Sequence, residues 1–280
     1  MLSAAWGVKL FAAPLLIGLA SLAGRRWGPN IAGLMGGLPL VGAPVVLAVW
    51  LGHGFETAQI AARAAPTGLW ATLLYLLFVG WSSARLHWAA AIPLGWLCYL
   101  AAALLIEASG MAVSLVLGIV ALPGLWIAAQ VLLPRPSAPP PRVQLPPVEL
   151  LARMAAAAIL VLTLTAATDA IGPQLTGLLA GAPVAAVVIP AFTMARAGRD
   201  ALLLTLRGFL TGLMGFSVFF LVLSQTMTHL GYAAFLPATV GGLLTGLLAT
   251  RLAQRLQSVA TAAAARPESA DPRSPGPDNG

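Results

Sequence analysis

The feature that most constrains this chain is a succession of apolar runs, each about 20 residues long, from its first residues to about Arg251. A helix needs roughly 20 such residues to cross a hydrocarbon core of roughly 30 Å. Only 8% of the 280 residues are charged and 59% are hydrophobic, too little polar surface to coat a water-soluble globule. The expected fold is all-α transmembrane, with lipid as the solvent for most of the chain.

Charges and turn residues divide the apolar sequence into nine candidate spans, at about 4–23, 30–52, 66–82, 88–106, 110–133, 150–168, 173–194, 203–224 and 230–250. The first run has no basic segment ahead of it and holds Lys9 inside, so it reads as a retained helix rather than a cleaved signal peptide. Separating the fourth span from the fifth requires Glu107-Ala-Ser-Gly110 to act as a tight turn. Charge tests the count, because each added or lost span moves every later loop across the membrane. With nine spans, thirteen arginines fall on one face, including Arg25, Arg26, Arg85, Arg135, Arg196, Arg199, Arg207, Arg251 and Arg255. The other face receives Lys9 and Arg63. Positive charge marks the cytoplasmic side, which places the N-terminus outside and the C-terminus inside, as in a bacterial inner membrane.

The net charge of +7 does not point to nucleic acid, because the basic residues lie in loops between apolar segments instead of forming a basic face on a soluble module. The single cysteine, Cys98, excludes a disulfide framework and a cysteine-based metal site, and reads as a small buried hydrophobe. Residues 134–148 are proline-rich and are expected to be an extended cytoplasmic linker. From about Ser258 to Gly280 the composition turns to Ala, Pro, Ser, Asp and Gly, which predicts a disordered tail.

The chain also repeats itself. Gly28-Pro-Asn-Ile-Ala-Gly-Leu-Met-Gly-Gly-Leu-Pro39 and Gly172-Pro-Gln-Leu-Thr-Gly-Leu-Leu-Ala-Gly-Ala-Pro183 share six of twelve positions at an offset of 172 − 28 = 144. The offset continues without a gap: Gly54 pairs with Gly198, Glu56 with Asp200, Arg63 with Arg207, and Thr67-Gly-Leu69 with Thr211-Gly-Leu213. The expected organisation is therefore a first repeat of four spans (1–106), a connecting span (107–133), the linker, and a second repeat of four spans (149–251). An odd connector makes the second repeat enter the membrane from the opposite side, giving inverted topology.

Pro39 and Pro183 fall near the middles of the second and seventh spans, preceded by Gly36, Gly37 and by Ala180, Gly181. A proline there removes a backbone hydrogen bond and frees carbonyls near the bilayer midplane, which must be buried or line a wet cavity. Paired interruptions in an inverted repeat are the usual pointer to a substrate site. The same glycines also read as packing devices, since Gly33-x-x-x-Gly37 and Gly177-x-x-x-Gly181 let helices approach closely. No span has a carboxylate at its centre, so a central site would be neutral, built from backbone groups and from Asn30, Gln174, Thr176, Thr163 and Thr165. Glu56 with Arg63, and Asp200 with Arg207, are spaced to share a helix face and are candidate gates at opposite ends of a pathway, or interfacial anchors.

With Lys9 the only lysine, a phosphate-binding Walker loop is impossible, and there is neither a His-Glu-x-x-His pair nor a Gly-x-Ser-x-Gly elbow. His53, His87, His229 and most of the eight tryptophans lie near span ends and read as interfacial. Nothing implies an enzyme, a metal or a cofactor.

The duplicated Gly-Pro-x-x-x-Gly-Leu-x-x-Gly-x-Pro block resembles that of a group of uncharacterised bacterial multi-pass membrane proteins, a likeness of pattern that supplies no chemistry. In architecture the chain is similar to inverted-repeat carriers such as sodium/proton antiporters and bile-acid symporters, although it lacks the antiporters' central acidic pair. The resemblance implies a secondary permease or exporter of a small solute working by alternating access. The competing expectation is a non-transporting scaffold or assembly subunit of an envelope complex. Partners on either reading are the lipid bilayer and further copies of the chain, with a small solute added on the first; nucleic acid is not among them.

Overall fold

The computed structural model describes residues 14–16, 18–19, 22, 38–137, 147–182 and 185–264. The described residues are helical apart from turns and loops, with no strand among them. The helices are α1 (Gly42–His53), α2 (Phe55–Ser82), α3 (Trp88–Ala108), α4 (Leu115–Ile127), α5 (Pro147–Ala180), α6 (Ala185–Leu230) and α7 (Phe235–Ala264). A π-turn, Ala128–Leu132, extends α4, and a 3₁₀ turn, Gly231–Ala234, joins α6 to α7.

Five helical stretches are long and apolar enough to cross a membrane. Their surfaces agree with that solvent: Leu105, Val131 and Leu236 are 71%, 72% and 72% exposed, positions that would drive association in water. Helices α2 and α6 form the buried centre, whereas α3, α4 and α7 turn large apolar side chains outward.

Glycine punctuates this architecture. Gly110, at φ +70, closes the turn between α3 and α4, with its amide donating to Glu107 O at 3.0 Å, as the division of the fourth span from the fifth requires. Ser114 then caps α4 by accepting from Leu117 N. Gly172 (φ 79, ψ 162) and Gly198 (φ 77, ψ −172) break α5 and α6 inside otherwise continuous helices. Gly54 (φ 89, ψ 174) separates α1 from α2. This region of backbone space is open essentially to glycine alone. Gly54 and Gly198 are repeat mates, so the duplicated sequence carries a duplicated backbone break.

The mates also lie at opposite ends of the bundle. At one end Gln59 Nε2 donates to Thr228 Oγ1 at 2.7 Å, the Trp50 and Tyr232 rings stack at 4.2 Å, and His53 Nε2 lies 3.6 Å from Asp169 Oδ2. At the other, a Cβ on Gly80 would lie 2.5 Å from the Leu133 side chain and 3.5 Å from that of Leu206. Helix α2 and the part of α6 after Gly198 are equivalent in the repeat, and they pack antiparallel. Helix α4 lies against both, through Pro66 and Leu221 at Gly118 and the Trp70 ring at Gly124. Helix α7 meets α6 backbone to backbone, since a Cβ on Gly215 would sit 2.5 Å from Gly242 O.

Three expectations need correction, the first being Cys98, which is exposed instead of buried because its face of α3 turns outward with Leu94 and Leu97. Helix α2 begins at Phe55 instead of about residue 66; its 28 residues reach roughly 42 Å, longer than a hydrocarbon core, and carry Glu56 and Arg63 on its first turns. Helix α7 runs to Ala264, into the tail expected to be disordered from Ser258, because Val259-Ala-Thr-Ala-Ala-Ala264 keeps helix-forming alanines before the first proline. Residues 265–280, most of the first span and most of the linker lie outside the described residues.

Candidate functional site

Pro39 sits in the turn that starts α1. Ala43 N donates to Pro39 O at 3.0 Å and Val45 N to Val41 O at 3.0 Å, while no side chain caps Val41. A proline suits this place because its missing N–H would have had no helical partner. Helix α1 thus begins just after Pro39, inside the bundle, while residues 30–37 of the expected second span lie outside the described residues.

The other interruption lies beside it. The half-helix following Gly172 ends at Ala180, and Ala182 N closes it by donating to Leu179 O at 2.9 Å. A Cβ on Gly42 would lie 3.0 Å from Ala180 O, 2.9 Å from the Phe216 ring and 3.1 Å from the Phe220 ring. The carbonyl end of one short helix therefore meets the amide end of another, a favourable arrangement of their dipoles. The aromatic pair, with centroids 4.6 Å apart, closes the junction from α6.

The freed carbonyls are held by hydroxyls. Thr72 Oγ1 donates to Gly181 O at 3.0 Å, and Tyr99 Oη donates to Leu178 O at 3.2 Å. Both side chains are buried. At the start of the same half-helix, Thr176 Oγ1 donates to Gly172 O at 2.8 Å and lies 3.5 Å from Thr168 Oγ1. Among the described residues the junction is closed by the uncharged side chains of Thr72, Tyr99, Phe216 and Phe220, which carry no local sequence signal. Gly177 packs directly on the Ala61 carbonyl and Gly68 on that of Leu178, with no room for a Cβ at either. Within the repeated block, Gly177 therefore brings its half-helix into backbone contact with α2.

The remaining candidates are dispersed. Gln174 lies at the Gly172 break, at the far end of the half-helix from Pro39. Thr165 is buried and donates to Val161 O at 2.6 Å, and Thr163 is exposed. Asn30, Gly36, Gly37 and Pro183 lie outside the described residues. Glu56 and Arg63 are exposed near the Trp50 end of the bundle, while Asp200 and Arg207 lie at the end of α4.

The pairs are not equivalent in contact. Asp200 Oδ1 accepts from Ser137 N at 3.0 Å. The Arg207 guanidinium donates to the carbonyls of Ala129 at 2.6 Å, Leu133 at 2.9 Å and Pro134 at 3.2 Å. A π-turn and the proline after it leave these carbonyls without helical donors, and a planar guanidinium can reach several at once. Arg207 thus clamps the end of the connecting helix. Among the described residues, no group of three His, Cys, Asp or Glu side chains is arranged to hold a metal ion.

Comparison with protein-family models, with curated proteins and with solved structures finds no match to this chain.

Proposed function

We propose that the chain is a nine-span protein of two inverted four-span repeats around α4, acting as a secondary permease or exporter of a small neutral solute by alternating access. The observation that carries this reading is the abutment of Gly42 and Ala180, which joins two half-helix ends in the centre of the bundle. The antiparallel packing of repeat mates and the shared break at Gly54 and Gly198 support the inverted arrangement. In the closed junction Thr72 and Tyr99 occupy the carbonyls of Gly181 and Leu178. A solute bearing O–H or N–H donors would take their place as the junction opens. The burial of those same hydroxyls favours the second reading, a scaffold with a permanently packed centre.

Flux decides between them. In liposomes containing the purified chain, a panel of neutral polyols, amides and amino acids should include at least one solute taken up faster than in empty vesicles. Pro39→Ala and Thr72→Val should slow that uptake at unchanged protein incorporation. Uptake equal to that of empty vesicles across the panel, by protein shown to be folded, supports the scaffold. The orientation is testable separately in a Cys98→Ala background: an impermeant maleimide should label Thr57→Cys on intact cells, and Ser137→Cys only after the cytoplasmic face is opened.

A further inference from the structure

A groove of about 680 Å³ runs between α4, α6 and α7, on the opposite side of α7 from the cleft that holds Arg207 and Gln254. Its walls are apolar, with Leu122 and Trp126 from α4, Met214 from α6, and Leu248 and Leu252 from α7. One end differs. Arg251 and Arg255, one helical turn apart, line the groove near the level at which Gln254 approaches the clamped end of α4.

We infer that this groove binds one anionic phospholipid, with an acyl chain along Leu122, Trp126 and Leu248 and the headgroup phosphate on Arg251 and Arg255. Among the described residues that line the groove, the two arginines are the charged ones. A guanidinium pair spaced i, i+4 offers paired donors to phosphate oxygens, a geometry that a single surface arginine lacks. The apolar wall continues from those charges toward Thr245, roughly 15 Å along α7, so one molecule with a charged end and a long apolar body matches both parts. Basic pockets between membrane helices on the cytoplasmic side are where anionic headgroups are held. A water-soluble phosphate would satisfy the arginines and leave the wall empty. The assignment to the inner leaflet rests on the orientation proposed above; the binding itself does not depend on transport.

Trp126 reports on the groove from within. The full chain is reconstituted in phosphatidylcholine vesicles with increasing fractions of brominated phosphatidylglycerol, and quenching is compared between wild type and Trp126→Phe, whose difference isolates Trp126 from the other seven tryptophans. Half-maximal quenching of the Trp126 component is expected at a phosphatidylglycerol fraction at least three-fold below that for random contact, and brominated phosphatidylcholine should show no such enrichment. The Arg251→Gln/Arg255→Gln variant should return to the random-contact curve while keeping its helical circular dichroism. Ten millimolar inorganic phosphate should leave the wild-type curve unchanged. Random-contact quenching in wild type, enrichment that survives the double substitution, or displacement of the lipid by inorganic phosphate would each overturn the assignment. If the double variant does not fold, Arg251→Lys/Arg255→Lys replaces it: charge retained without the planar fork should weaken enrichment at least two-fold, and unchanged enrichment counts against the paired-guanidinium site.

Discussion

Gly54 and Gly198, 144 residues apart in sequence, hold the same backbone conformation (φ 89, ψ 174 and φ 77, ψ −172) at opposite ends of an antiparallel helix pair. A Cβ at either would meet nothing within 4 Å, so the demand for glycine comes from the backbone alone. Gly54→Ala and Gly198→Ala should each destabilise by about 1–3 kcal/mol. The two sites share no partners, and the costs should add in the double variant. Equilibrium unfolding in mixed micelles with increasing dodecyl sulfate measures both.

Thr72 and Tyr99 come from different helices, yet both hold the half-helix that ends at Ala180. Thr72→Val and Tyr99→Phe should each cost about 0.6–2 kcal/mol, the range for interhelical hydrogen bonds in membranes. Because the acceptors share one short element, a double-mutant cycle should give a coupling of about 0.5 kcal/mol or more. Additive losses would mean that the two bonds act on the half-helix independently.

Gly177 and Gly181 belong to one small-residue pattern but differ in surroundings. A Cβ at Gly177 meets the Ala61 backbone, whereas one at Gly181 first meets the Phe216 ring at 3.5 Å. Gly177→Ala should destabilise by about 3 kcal/mol or lower the yield of folded protein, and Gly181→Ala by roughly a third of that or less. The same unfolding assay, with monodispersity on gel filtration, separates them.

Arg207 and Arg63 are repeat mates with unlike duties. Arg207→Ala leaves three carbonyls without their donor and should cost about 2–4 kcal/mol, while Arg63→Ala, on an exposed helix face, should stay within about 0.5 kcal/mol. Amide exchange of Leu133 and Ser137 should quicken in the Arg207 variant and remain unchanged in the Arg63 variant. Arg207→Lys should restore little, because an ammonium cannot span carbonyls on both sides of the turn.

Much of this architecture is legible in the sequence where the signal is local or repeated. Apolar length identifies a helical chain suited to a membrane but not the helix ends, Glu107-Ala-Ser-Gly110 identifies a turn, and Pro39 marks where helical pairing fails, because in each case the physics acts within a few residues. The offset of 144 pairs Gly54 with Gly198 but does not say that both break a helix, since glycine is also common where helices pack. The contacts at the junction are long-range: Tyr99 reaches Leu178 across 79 residues and Thr72 reaches Gly181 across 109. Neither position is marked by periodicity or motif, although a tyrosine deep in an apolar helix needs a partner for its hydroxyl. Arg207 illustrates the converse. Its charge in an apolar segment suggests an ion pair or a gate, whereas its observed acceptors are neutral carbonyls exposed by a π-turn that sequence does not announce.

The half-helix 173–180 belongs to the second repeat by sequence, but its neighbours Ala61, Gly68, Thr72 and Tyr99 all belong to the first. During synthesis, then, α2 and α3 are made with the slot between Ala61, Gly68, Thr72 and Tyr99 empty, and more than 70 further residues must follow α3 before the piece that fills the slot is complete. A severed gene should show this directly: fragments covering 1–137 and 138–280 should each be degraded when produced alone and accumulate when produced together. The first half of the chain is therefore not a separable unit, because part of its interior is supplied by the second.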